Sequence, residues 1–193
     1  MKHVTVFCGS NVGARPEYLD AARRLGRALA ARGLALVYGG SNVGLMRELA
    51  RTVRAAGGEV VGIIPTLLVE RELLYPDLTR VHVVGSMHER KALMMELGDA
   101  FVALPGGFGT LEELFEVVAW ATLGLHRKPV GLLNAAGYYD PLMRFIDHAV
   151  AEQFVRPEYR EVILVDPTPE GLLERLNGAW RSTCTRQTGR PQS

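Results

Sequence analysis

The stretch AFVALPGGFGTLEELFEVVAW, residues 100–120, contains an apolar run, a cluster of glycines and an amphipathic run in direct succession. The apolar part, AFVALPG, has the length and composition of a strand that is buried on both faces. From Thr110 to about Leu125 the apolar residues recur at helical spacing. Glycines between a strand and a helix supply the tight turn that connects them. This stretch therefore predicts one strand–turn–helix unit of an α/β protein.

The same order of elements recurs along the whole chain. We predict strands at residues 4–8, 36–38, 59–65, 80–85, 100–106, 128–134 and 161–166. We predict helices at residues 16–33, 45–57, 86–98, 110–125, 141–150 and 169–180. The strands are rich in Val, Ile and Leu and hardly alternate with polar residues, as in parallel strands covered on both faces. We therefore expect one α/β domain over residues 1–180, a doubly wound parallel sheet flanked by helices, and a disordered tail at 181–193.

The composition excludes several classes of protein. A net charge of +1 gives the chain no general attraction to nucleic acid or to anionic membranes. No apolar run approaches the roughly 18 residues that span a bilayer, and the first ten residues do not resemble a signal peptide. The two cysteines form neither a metal-ligand cluster nor a disulfide framework. We expect a cytoplasmic protein with no nucleic-acid or membrane partner.

Three glycine clusters, CGSNVG, YGGSNVG and LPGGFG, follow three of the predicted strands. In a parallel sheet all three lie on the same rim, where ligands of doubly wound folds bind. Backbone N–H groups at a helix N-terminus, together with the helix dipole, favour an anion such as phosphate. The clusters are neither the dinucleotide fingerprint nor a P-loop, and ordinary turn chemistry remains an alternative.

Thr110 and Glu113 fit the T-x-x-E pattern of a capping box. In that interpretation Thr110 caps the helix, Glu113 reaches back to the Thr110 amide, and Glu112 and Glu116 face solvent. Leu111, Leu114, Phe115, Val118 and Thr122 then face the core. The other interpretation makes Glu113 a catalytic acid beside a phosphate site, and the pattern alone does not exclude either.

The segment SMHERKALMMELG, residues 86–98, contains the charged pair Arg90-Lys91. Consecutive helix residues diverge by about 100°, so the two side chains cannot both face the core. Arg90 offers a planar fork for phosphate or carboxylate, although an ordinary surface cation is the alternative. The five histidines have no metal-ligand spacing with cysteine or acidic residues, so we expect no metal site. They are His3, His82, His88, His126 and His148.

The combination of SMHERKALM and ALPGGFGTLEEL resembles the Lonely Guy (LOG) family of cytokinin-activating enzymes. The family signature is P-G-G-x-G-T-x-x-E with an upstream R-K-x-x-M. The resemblance extends from FCGS through YGGSNVGLM, GIIP and WATLGLHRKPVGLLN to GYYDPL, and leaves out only the tail. One departure is Ser41, at a position where a third glycine is common.

The resemblance implies a Rossmann-like fold, a homodimer and no cofactor. It implies hydrolysis of the N-glycosidic bond of cytokinin riboside 5′-monophosphates to the free base and ribose 5-phosphate, and many members also hydrolyse AMP. Arg90 and Glu113 match the catalytic pair, and Lys91 and Glu72 match substrate contacts. The phosphate cradle matches Gly107, Gly109 and Thr110. Further expected substrate contacts are Gly9, Ser10, Gly39, Gly40, Met87, Gly106, Phe108, Leu111 and Glu112.

The chemistry of glycosidic cleavage gives roles to the catalytic pair. A carboxylate at Glu113 stabilises an oxocarbenium-like transition state and activates water. The pKa of a guanidinium exceeds about 12, so Arg90 is not a free proton donor. We predict that it holds the nucleotide and offsets the charge that builds on the departing base.

Three other functions stay open. The first is the lysine decarboxylase activity with which the family has often been labelled. That chemistry ordinarily needs pyridoxal phosphate on a lysine. The chain offers only the terminal Lys2, Lys128 in a turn, and Lys91 in the motif. The others are a broader purine nucleoside monophosphate nucleosidase and a nucleotide-binding module without catalysis.

Overall fold

The computed structural model describes residues 1–71 and 73–188, with side chains in the last helix as far as Thr183. The strands are β1 (His3–Phe7), β2 (Ala35–Tyr38), β3 (Val60–Pro65), β4 (Arg80–Val84), β5 (Ala100–Ala103), β6 (Val130–Leu133) and β7 (Ile163–Asp166). The helices are α1 (Pro16–Ala31), α2 (Gly44–Ala55), α3 (Thr66–Glu70), α4 (Met87–Leu97), α5 (Phe108–Thr122), α6 (Asp140–Ala151), α7 (Pro157–Arg160) and α8 (Pro169–Thr188). A 3₁₀ turn occupies Ala135–Gly137.

The seven strands form one parallel sheet in the order β4-β3-β2-β1-β5-β6-β7. The order reverses at β1, where Val4 pairs with Leu36 of β2 on one side and with Ala100 of β5 on the other. This is the doubly wound arrangement, and the predicted fold class is confirmed. The crevice at the carboxyl ends of β1 and β5 is the topological switch point of the sheet.

Two apolar layers cover the faces of the sheet. Helices α1, α2 and α8 pack on one face, where Leu29, Leu49 and Leu172 are fully buried. Helices α4, α5 and α6 pack on the other face, through residues such as Met94 and Leu114. Because both faces are covered, the strands lack the polar alternation of a half-exposed sheet, as the sequence indicates.

The end of the chain departs from the prediction. We predicted that the final helix ends at residue 180 and that a disordered tail follows, but α8 continues to Thr188. The segment between residues 181 and 188 has no glycine or proline to stop the helix. The hydroxyls of Ser182 and Thr183 donate hydrogen bonds to the carbonyls of Gly178 and Ala179, one turn earlier. Residues 189–193 lie outside the described residues.

None of the helices within the described residues combines the length and the apolar character that crossing a bilayer requires.

Candidate active site

A cleft of about 340 Å³ opens at the switch point of the sheet. Its floor includes Cys8, at the end of β1, and Gly39, at the end of β2. Helix α4 contributes Arg90, and α5 contributes Glu113. An apolar wall closes another side and consists of Val43, Met46, Leu68 and Leu73.

The glycine-containing loops after β1, β2 and β5 are neighbours, because these three strands are adjacent in the sheet. The Gly9 amide donates a hydrogen bond of 3.1 Å to the Pro105 carbonyl, which joins the first loop to the third. The amide of Leu45, in the first turn of α2, donates to the Gly9 carbonyl at 3.1 Å, which joins the helix after the second loop to the first loop. The three loops therefore support one another around the cleft.

Helix α5 begins earlier than the capping-box pattern predicts. Its N-cap is Gly107, in an extended conformation, and no side chain among the described residues caps the helix. Thr110 lies inside the first turn and is buried. The capping box of Thr110 and Glu113 is therefore wrong. The first amides of α5 keep their N–H groups for a ligand, because a helix leaves these donors without intrahelical partners.

Gly107 and Gly109 lie next to these amides and line the cleft. Neither has a positive φ, and a Cβ added at either position would meet no atom of the described structure within 4 Å. Neither backbone conformation nor packing therefore requires glycine here. A ligand that approaches the backbone closely gives both glycines a physical reason.

The Glu113 carboxyl is largely buried beside Arg90. Burial raises its pKa to about 7, and the nearby Arg90 guanidinium opposes that rise. Cys8 lies in the same environment, where burial above all and then Glu113 raise the pKa of the thiol. A carboxyl with a pKa near neutrality can accept or donate a proton under physiological conditions.

Arg90 is buried, with only 7% of its surface exposed. Among the described residues, its guanidinium makes one hydrogen bond, from Nη1 to Met87 Sδ at 3.7 Å, and Nε has no partner. Gly39 makes room for this group, because a Cβ there would lie 1.6 Å from Arg90 Nη2. A buried cation with unused donors in a cleft is suited to bind an anionic ligand.

Most of the predicted site residues meet at the cleft. Its lining includes Ser10, Gly39, Met87, Arg90, Gly107, Phe108, Gly109, Thr110, Glu112 and Glu113. Gly9 and Gly106 line an adjoining recess of about 230 Å³ that shares Ser10 and Gly107 with the cleft.

Three of the other predicted residues lie outside the lining of the cleft. Gly40 faces β3, since a Cβ added there would lie 3.1 Å from Ile64 Cβ, and Leu111 packs against the core beneath α5. Lys91 binds two carboxylates of α5 instead of lining the cleft. Glu72 lies outside the described residues.

The apolar wall was missed by the sequence prediction. Its residues come from the loop before α2, from α2 and from α3 with the loop after it. Val43 and Met46 carried a signal, since both belong to the YGGSNVGLM motif. Ser41, where the chain departs from the family pattern, has an ordinary φ and pairs with Leu74 in an isolated β-bridge, so serine causes no backbone strain there.

Comparison with known proteins places this geometry in a family. A family model described as "Possible lysine decarboxylase" matches residues 46–176. A cytokinin riboside 5′-monophosphate phosphoribohydrolase of Arabidopsis thaliana is 50% identical over 175 residues, which cover 91% of this chain and 81% of that protein. A protein of Oryza sativa subsp. japonica named as a probable enzyme of the same kind is 53% identical, over 91% of this chain and 72% of its own. This chain belongs to the Lonely Guy family.

Solved structures show how widely the Lonely Guy fold is shared. The molybdenum cofactor binding protein of Rippkaea orientalis superposes with a TM-score of 0.71 at 24% identity, covering 92% of this chain and 97% of that one. The molybdenum cofactor carrier protein of Chlamydomonas reinhardtii reaches 0.68 at 22% identity, with the same coverage. At this identity the likeness concerns the fold alone.

No lysine of this Lonely Guy protein is among the described residues that line the cleft. Lys91 pairs with Glu112 and Glu116, and Lys128 Nζ donates to the backbone carbonyls of Met95 at 2.6 Å and Glu96 at 3.1 Å. Lys2 is exposed and precedes β1, at the amino ends of the strands, whereas the cleft lies at their carboxyl ends. The described part of the cleft therefore presents no amine for a Schiff base, and the decarboxylase description has no support in its geometry.

Proposed function

We propose that this protein hydrolyses the N-glycosidic bond of cytokinin riboside 5′-monophosphates, which are N6-modified adenosine monophosphates. The products are the free base and ribose 5-phosphate. The observation that carries the proposal is the placement of Glu113 beside the buried Arg90, whose Nε has no partner among the described residues, in a cleft edged by the glycine-rich start of α5. Relatives about half identical to this chain carry the name of this activity.

The 5′-phosphate binds at the start of α5. The amides that follow Gly107 point toward the helix N-terminus, where the helix dipole favours negative charge. The open space at Gly107 and Gly109 lets the phosphate approach the backbone. Binding energy from this remote group orients the ribose for the reaction.

Glu113 acts at the glycosidic bond. As a carboxylate it stabilises the positive charge that develops on the ribose and accepts a proton from the attacking water. The bond between the ribose carbon and the base nitrogen breaks, the water oxygen binds the ribose carbon, and the departing base takes up a proton. Arg90 remains charged and holds the nucleotide while negative charge builds on the base.

The proposal extends to AMP, to assembly and to location. We propose that AMP is a second substrate, because the phosphate cradle and the catalytic pair do not depend on the N6 substituent. We also propose that residues 1–180 form one domain, and that the protein works as a cytoplasmic homodimer without a nucleic-acid or membrane partner.

A substrate panel tests the reaction. The protein is incubated with isopentenyladenosine 5′-monophosphate, AMP and isopentenyladenosine, and the products are separated by chromatography. We expect free base and ribose 5-phosphate from the monophosphates, and much less base from the unphosphorylated nucleoside. Nucleotide that binds without being cleaved would leave a binding module, and equal cleavage of several purine monophosphates would favour the broader nucleosidase.

The role of Glu113 has a separate test. Glu113→Gln removes the carboxylate but keeps the size of the side chain, so turnover should fall at least about 100-fold while the protein still folds. Circular dichroism and nucleotide binding establish that the variant is folded. Glu152→Gln, at an exposed acid after α6, is the matched control and should keep full activity. Full activity in Glu113→Gln would contradict the assignment.

A further inference from the structure

We propose that Lys91 is a positioning residue that holds α4 against α5, and that it is not a contact for the substrate. Through Glu112 and Glu116 it keeps Arg90 facing Glu113. The inference rests on the hydrolytic function proposed above and changes the role that the family resemblance assigns to this lysine.

The ion pairs of Lys91 join two helices on the same face of the sheet. Lys91 Nζ, on α4, donates a hydrogen bond to Glu112 and another, of 3.2 Å, to Glu116 Oε1, both on α5. Glu112 and Glu116 are four residues apart, so their side chains project from the same side of α5. The Lys91 side chain is 12% exposed and that of Glu116 is 25% exposed, so this pair is shielded from water more than a surface ion pair is. Glu112, the other partner, is 56% exposed.

These ion pairs lie directly beside the catalytic pair in both helices. Arg90 precedes Lys91 on α4, and Glu113 follows Glu112 on α5. Neighbouring positions on a helix are fixed at about 100° to each other, so a rotation or slide of either helix moves both members. The contact that sets the register of α4 on α5 therefore also sets the position of Arg90 relative to Glu113.

A direct role in substrate binding fits the geometry less well. Lys91 does not line the cleft, and two of its three N–H donors are used by carboxylates. To reach a nucleotide it would have to leave both partners. Lys91 reaches the cleft only through Glu112, which does line it.

Lys91 also belongs to the set of charges around Glu113. Arg90 and Lys91 on α4 lower the pKa of Glu113, and Glu112 and Glu116 on α5 raise it. Cys8, at the end of β1, is a further titratable neighbour and stays a neutral thiol because burial raises its pKa. Loss of Lys91 leaves the two acids of α5 without their cation, so the pKa of Glu113 should rise.

The test compares Lys91→Met, Lys91→Arg, Glu116→Gln and the Lys91→Met/Glu116→Gln double variant across pH. In Lys91→Met the acidic limb of the kcat profile should move up by about one pH unit. That shift lowers kcat about five-fold at pH 7 and leaves KM nearly unchanged. Lys91→Arg keeps the charge and should retain about half or more of the activity.

The double variant separates the two roles. If Lys91 acts through the acids of α5, Glu116→Gln should reverse part of the shift caused by Lys91→Met, because it removes one of the uncompensated carboxylates. If Lys91 contacts the substrate, Lys91→Met should raise KM for the monophosphate, and Glu116→Gln should not change that loss. The second outcome overturns the proposal.

Thermal unfolding provides a readout that does not depend on turnover. The losses in Tm from Lys91→Met and Glu116→Gln should be less than additive, because both remove the same ion pair. Asp147→Asn is the matched control, since it removes an ion pair with Arg160 at 2.7 Å, remote from the cleft, and should not alter the kcat profile. Additive Tm losses would contradict the positioning role even if the enzyme cleaves a different nucleotide. An inactive wild-type protein with non-additive Tm losses would count against the proposed function alone.

Discussion

Folding and ligand binding favour different residues at position 109, where the chain has glycine. It lies in the first turn of α5, where alanine is the better helix former, and the described structure leaves room for a methyl group. We predict that Gly109→Ala keeps or raises Tm, because alanine loses less conformational entropy on folding. The same methyl group occupies the space proposed for the phosphate, so KM for the monophosphate should rise about ten-fold.

A matched glycine supplies the control for this prediction. Gly178, in α8, lies away from the cleft, and a methyl group added there would also meet no described atom within 4 Å. Gly178→Ala should give a similar gain in Tm with no effect on KM. An unchanged KM in Gly109→Ala would show that the phosphate does not approach this turn.

The sequence could predict the members of the site better than their contacts. Arg90 and Glu113 were recognised because both belong to a specific pair of motifs. The partners of Lys91 were not recognised, since Glu112 and Glu116 look like a solvated helix face until the packing of α4 is known. Contacts between elements depend on distances that a local pattern does not contain.

At the scale of elements, α4 has the side-chain cap that α5 lacks. The Glu89 amide donates to Ser86 Oγ at 3.1 Å, and the Gly85 amide donates to Glu89 Oε2 at 2.9 Å. Both helices have the S/T-x-x-E pattern, but only in α4 does the pattern coincide with the helix start. The glycines before Thr110 let α5 begin two residues earlier, which a motif-based prediction does not detect.

Removing the cap of α4 should destabilise the helix that contains Arg90. We predict that Ser86→Ala lowers the stability of the protein by about 1 kcal/mol, the usual cost of losing an N-cap side chain. Chemical denaturation with urea measures this loss. Ser86→Asp keeps an acceptor for the Glu89 amide and should restore stability. If Ser86→Asp loses as much stability as Ser86→Ala, the loss does not come from the hydrogen bond to the Glu89 amide.

The limits of the predicted elements show which physical signals the sequence contains. All seven strands were predicted, because their apolar runs are short, rich in β-branched residues and flanked by glycine or proline, which favours a strand over a buried helix. The strand at residues 100–106 was predicted too long, since Leu104 is fully buried although β5 ends at Ala103. Helices α3 and α7 were missed, because four or five residues are too few to show helical periodicity.

At the scale of the whole molecule, α5 leaves apolar surface uncovered. Phe115 was predicted to face the core but is 42% exposed, and Phe108 and Leu123 are 93% and 72% exposed. Large apolar side chains that are exposed together on one element often mark a contact with another chain. The sequence gives no direct measure of such exposure, because the same residues at helical spacing also describe a buried face.

The proposed homodimer makes a prediction about mass. Light scattering after size-exclusion chromatography should give about twice the chain mass of 21.2 kDa at micromolar concentration. Leu123→Glu places a charge on the exposed surface at the end of α5 and should shift the mass toward one chain. Val83→Glu, at an exposed position on the edge strand β4, is the control. A single-chain mass for the wild-type protein would contradict the homodimer.

The position of the lysines has a practical consequence for handling the enzyme. Lys91 and Lys128 are engaged in hydrogen bonds, whereas Lys2 is exposed beside the amino end of β1. Amine-reactive supports and dyes should therefore couple preferentially at the amino ends of the strands. The cleft opens at the carboxyl ends of the strands. Molecules coupled to a surface by this chemistry would therefore share one orientation, with the substrate entrance facing the solution.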